Sequence, residues 1–92
     1  SSKLKQAIDE LPANTNVVLS LRGVPMIDVT SIKLLIDIYS IFHKEERQIV
    51  FASMNPKLKE SFKRTGLISM VGEEAIYPSV NEFLLDLVDK NK

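Results

Sequence analysis

The side chains best placed to do chemistry in this 92-residue sequence stand in one segment, Gly23-Val24-Pro25-Met26-Ile27-Asp28-Val29-Thr30-Ser31-Ile32. One carboxylate and two hydroxyls gather where an apolar run gives way to a loop and then to a helical pattern. Their plainest use is capping, because side-chain oxygens there satisfy the unpaired amides of a first helical turn. The same position favours negative charge. A hydroxyl at a helix head can carry a phosphate without melting the helix, or help hold an anionic ligand. On residue type alone the cap is the favoured reading of Asp28, Thr30 and Ser31, which follow Val24 and Met26 in this loop.

Elsewhere the residues for catalysis do not assemble. The single histidine, His43, lies in His43-Lys44-Glu45-Glu46-Arg47, where it reads as a solvated residue welcome at a helix C-terminus. A hydrolytic triad needs a base beside a nucleophile, and no such grouping is visible. Glu45-Glu46 and Glu73-Glu74 are adjacent pairs without a histidine or calcium-loop spacing, and Gly23, Gly66 and Gly72 are isolated rather than grouped in a phosphate loop. The expectation is a domain with no catalytic residue, no metal and no cofactor, and not an enzyme. A small ligand-binding domain, with its site at the carboxyl ends of the strands, ranks behind a protein-interaction domain for want of a glycine-rich loop.

Composition narrows the partners. Twelve basic residues balance twelve acidic ones, and the balance holds in both halves, so no long-range field draws a polyanion; nucleic acid and anionic lipid are disfavoured. Lys57, Lys59, Lys63 and Arg64 form a basic face, with Glu60 inside it, that reads first as solvated surface. The chain has no cysteine, which removes disulfides and thiolate chemistry. No apolar run approaches the roughly 20 residues that cross a bilayer, so no direct membrane insertion is expected.

The elements that must position the loop follow from periodicity. Leu4, Ala7, Ile8 and Leu11 predict an amphipathic helix stopped near Pro12. Asn16 to Gly23 is a nearly continuous apolar run, as in a strand covered on both faces. From about Thr30 to Glu45 the positions Ile32, Leu35, Ile36, Tyr39 and Phe42 form a helical stripe widened by Leu34, Ile38 and Ile41. Gln48 to Met54 repeats the strand pattern, and Asn55-Pro56 supplies a cap and a first-turn proline for a helix ending at Gly66. Ile68 to Val71 reads as an apolar connection and Ala75 to Tyr77 as a brief strand. Ser79 and Glu82 have capping-box spacing before a helix with Val80, Phe83, Leu84, Leu87 and Val88 on its inner face. Alternating strands and helices predict an α/β domain over residues 1–92, its sheet largely parallel with helices packed on it. A chain opening in mid-helix suggests that N-terminal strands precede Ser1.

With those residues in view, Val17 to Ile32 resembles the core of a STAS domain, the module shared by bacterial anti-sigma factor antagonists and the cytoplasmic tails of SulP anion transporters. That signature, an apolar strand, a short loop and Asp-x-Ser/Thr-Gly opening a helix, falls on Asp28 to Ser31, with Ser31 where the signature has glycine. The likeness continues through Ile49 to Met54 with Asn55-Pro56, Arg64-Thr65-Gly66-Leu67, and Ile76-Tyr77-Pro78-Ser79. Val24 to Thr30, Asn55-Pro56 and Tyr77-Pro78-Ser79 are more similar to SulP tails. The resemblance implies a STAS-like fold and a non-enzymatic regulatory domain of a sulfate or dicarboxylate transporter, on the cytoplasmic side of the inner membrane. Its partners would be the membrane part of the parent transporter, and a regulatory protein or a second copy, with the loop from Val24 to Ser31, including Met26, Asp28 and Thr30, as the partner-binding surface. The alternative it implies is a free-standing antagonist-like switch in which Thr30 is the phosphosite.

Overall fold

The centre of the molecule is a buried strand. In the computed structural model, which describes residues 2–91, all four residues of β2 (Ile49–Ala52) are buried. It lies between β1 (Val17–Ser20) and β3 (Ile76–Tyr77) in a three-stranded parallel sheet, Val17 opposite Ile49 and Ser20 opposite Ala52 on one side, Phe51 opposite Ile76 on the other. An apolar run with no polar alternation is what a central strand covered on both faces requires. The same expectation fails for β1. Among the described residues it has one neighbouring strand, three of its residues are half-buried and Ser20 is exposed, because a strand at the end of the row is only partly covered.

The helices precede, join and follow these strands: α1 (Ser2–Asp9), α2 (Val29–Lys44), α3 (Pro56–Arg64), α4 (Leu67–Val71) and α5 (Val80–Lys90). Ile32, Leu35, Ile38 and Phe42 of α2 are buried, while Ile41 stays exposed. Leu58 and Phe62 of α3 are fully buried, and the Phe62 ring meets Phe51 of β2 edge-on at 5.7 Å between centroids, a favoured aromatic geometry. Residues 68–71, read from sequence as a connection, belong instead to α4. Gly66 adopts φ +81°, a left-handed turn that a side chain resists, and this lets the chain stop α3 and restart within one turn, burying Leu67, Ile68 and Val71.

The last helix departs most from expectation. Ser79 caps it, its hydroxyl accepting from the Glu82 amide at 3.0 Å, yet of the five residues assigned to its inner face only Phe83 is buried. Val80 is half-buried, whereas Leu84, Leu87 and Val88 are exposed. The helix touches the body through its start. Tyr77 packs edge-on to Phe83 at 5.1 Å and donates its hydroxyl proton to the Asp86 carboxylate at 2.6 Å.

Candidate functional site

The loop that carries the candidate residues is built by three successive constraints. First, Leu21, buried at the end of β1, donates its amide to the Ala52 carbonyl at 2.8 Å, so the chain leaves the sheet at a fixed point. Second, Gly23 takes φ +78°, and the Val24 amide turns back onto the Leu21 carbonyl at 3.0 Å. Third, Asn55 holds the loop from just beyond the end of the neighbouring strand β2. Its amide nitrogen donates to the carbonyls of Val24 at 3.1 Å and Pro25 at 3.3 Å, while its side-chain oxygen accepts from Leu58 at 2.8 Å to cap α3. One side chain therefore fixes both a helix head and the neighbouring loop.

Val24 and Ile27 turn inward against the core. Met26 and Val29 turn outward, 56% and 69% exposed. Asp28 ends the loop in extended backbone and caps α2, its carboxylate accepting from the Ser31 amide at 2.8 Å. That amide, with the Ser31 hydroxyl, holds the Asp28 carboxyl below the usual carboxylate range, because hydrogen bonds donated to the charged form favour it. Thr30 occupies the first turn, exposed, and its hydroxyl has no hydrogen-bond partner among the described residues. Of the three polar residues singled out in the sequence, one caps, one supplies the capped amide and one is unengaged.

The structure brings Asp28, Thr30 and Ser31 together at the head of α2 with Val24 and Met26 in the loop before them. It does not bring His43 to them. That ring lies exposed in the last turn of α2, stacked on Tyr39 with centroids 6.0 Å apart. Among the described residues no group of three or more histidines or carboxylates could hold a metal ion. Glu73 faces Lys59 at 3.9 Å, while Lys57 and Arg64 have no ion-pair partner among the described residues. The residue that sequence reasoning missed is Asn55 in its second role. Asn-Pro marks a helix start, but the bonds to Val24 and Pro25 join positions about thirty residues apart and leave no local trace.

With this geometry in hand, comparison with known proteins gives a consistent answer. The family model described as the STAS domain matches residues 1–83. No curated protein matches the chain. The fold is similar to the solved structure of a SulP transporter STAS domain from Vibrio cholerae, refined at 1.9 Å, with a TM-score of 0.77 and 20% sequence identity; the match covers 97% of this chain and 73% of that one. The family model spans most of the chain, and the three-stranded parallel sheet flanked by helices agrees with the fold likeness; the chain belongs to the STAS domain family.

Proposed function

We propose that residues 1–92 form one non-enzymatic STAS domain that serves as the regulatory, protein-interaction part of a SulP-type anion transporter. In this reading it sits on the cytoplasmic side of the inner membrane and contacts the membrane part of its parent, with a regulatory protein or a second copy as further partner. The observation that carries it is the loop before α2: its backbone is fixed by Asn55, yet it turns Met26 and Val29 to solvent. Exposed apolar side chains on a preorganised backbone are what a partner surface needs, since ordering costs are met before binding. The likeness to a SulP transporter STAS domain supports the transporter context. No described helix is long and apolar enough to cross a membrane, so a transport path would be supplied by the parent. The test is the natural coding sequence upstream of Ser1. Many long apolar segments there support the reading; a short gene with none overturns it.

A second reading rests on the unengaged Thr30 hydroxyl. A phosphate there adds about two negative charges at the head of α2, next to the Asp28 carboxylate, and would repel an acidic or apolar partner surface. Incubating the chain with candidate anti-sigma kinases and ATP, then measuring intact mass, decides it. Stoichiometric phosphate lost in Thr30→Ala supports the switch and counts against the transporter reading; an unchanged mass disposes of the switch.

A further inference from the structure

Beside the loop, on the side of α3, lies an open cleft of about 600 Å³ lined by Pro25, Met26, Asn55, Lys57, Glu60 and Arg64. Its apolar wall is Met26 with Pro25. Met26 is an unbranched, adaptable side chain more than half exposed, the kind that accommodates varied apolar partners. Its opposite wall is one stripe of α3. Lys57, Glu60 and Arg64 follow each other at helical spacing, so the two cations stand about 10.5 Å apart along one face. Neither cation is paired among the described residues, and Glu60, one turn from each, is bridged to neither. The nearby Asp28 carboxylate is turned to the amide of its own helix, and Lys59 is occupied by Glu73. The cleft therefore offers an apolar anchor point flanked by two uncommitted positive charges against one negative one. It is held open by Asn55, whose bonds set the loop at its distance from α3.

From this we infer that the cleft docks an acidic amphipathic helix of a partner protein. An apolar side chain of that helix enters against Met26, and two carboxylates about two turns apart reach Lys57 and Arg64. Apolar burial supplies affinity, while the charges select an acidic helix over a basic one and hasten encounter. The inference rests on the reading of the loop as a partner surface and adds the chemistry of what it takes. A small inorganic anion does not account for the apolar wall.

The experiment titrates the isotope-labelled chain with two designed alanine-rich peptides of about four helical turns, following backbone amide shifts. One carries a leucine pair flanked by glutamates seven residues apart; the other has lysines in place of the glutamates. The acidic peptide is expected to move the amides of residues 24–31 and 55–64, and its affinity to fall about tenfold between roughly 0.05 and 0.3 M salt as exposed charges are screened. The double variant Lys57→Glu, Arg64→Glu is expected to lose the acidic peptide and bind the basic one. Both positions are exposed or lightly packed, and an unchanged amide spectrum elsewhere confirms folding. If both peptides move residues 24–31 equally, the acidic selection is overturned while the loop surface stands. If neither moves them, or sulfate alone reproduces the shifts, the inference is overturned; silence to both peptides counts also against the loop.

Discussion

Each polar side chain at the head of α2 makes a separate prediction. Capping belongs to Asp28, so Thr30→Ala should change stability by no more than about 0.5 kcal/mol, whereas Asp28→Ala should lower the melting temperature; a larger loss from Thr30→Ala would show that its hydroxyl is engaged. The carboxyl of Asp28 is depressed by the Ser31 amide and hydroxyl, and that of Asp86 by the Tyr77 hydroxyl and then Lys90. A carboxyl depressed in the folded state contributes stability that is present above its unfolded pKa and lost as pH falls through the folded value. Stability should therefore decline on acidification below about pH 4, and Asp28→Asn should flatten that decline in denaturant titrations; an unaltered slope would contradict the assigned hydrogen bond. Asn55→Ala, which removes a cap and the loop tether together, should cost about 2 kcal/mol, the sum of two ordinary contributions. It should also broaden the amide signals of residues 24–28. Much of this site was legible: an acid and two hydroxyls before an apolar helix announce a cap. Which oxygen would cap was not, because Asp28, Thr30 and Ser31 are all competent by type and only backbone geometry chooses among them.

Among the elements, those with local punctuation were the most legible. Asn55-Pro56 and Ser79 with Glu82 set the starts of α3 and α5 where the structure has them. The burial of a face is a different matter, since it depends on what lies opposite. Apolar spacing in α5 named five inward residues, but β3 offers only two residues to pack on, and Phe83 alone is buried. Phe83→Ala should accordingly cost about 3 kcal/mol, the low end for a truncated aromatic, while Leu84→Ala and Val88→Ala should each stay within about 0.5 kcal/mol. Equal losses at all three, measured by thermal unfolding, would restore the sequence-based assignment. Tyr77, Asp86 and Lys90 fasten the same helix, with Lys90 3.2 Å from Asp86. The Tyr77 phenol is pushed above its ordinary value, first by its bond to Asp86. Its contribution is thus present below the unfolded phenol pKa and lost as pH rises through the folded one. The helix of residues 67–71 escaped notice because five residues carry too little periodicity to separate a helical turn from an apolar link.

Over the whole molecule, stability radiates from β2. Phe62 bridges α3 to that strand, so Phe62→Ala should cost about 3–5 kcal/mol, and amides of Val50 and Phe51 should exchange with solvent more slowly than those of the singly paired β1. The alternation of strand and helix was legible because buried runs and amphipathic stripes differ in period; the unequal cover of β1 and β2 was not, since both read as continuous apolar runs and only their order in the sheet separates them. In this arrangement the STAS fold serves as a rigid frame whose core holds one loop in a fixed outward pose. On the reading proposed above, this loop meets a protein partner in the natural gene product. Placing a photo-crosslinking amino acid at position 26 of that full-length product, or in parallel at position 44 or 84, irradiating it in its native cells and mapping the adducts by mass spectrometry tests this directly. An adduct is expected to join residue 26 to a membrane segment of the same product or to a discrete partner protein, in greater yield than from the exposed position Lys44. Yields from position 26 no higher than from position 44, or lower than from the exposed Leu84 position on α5, would overturn it.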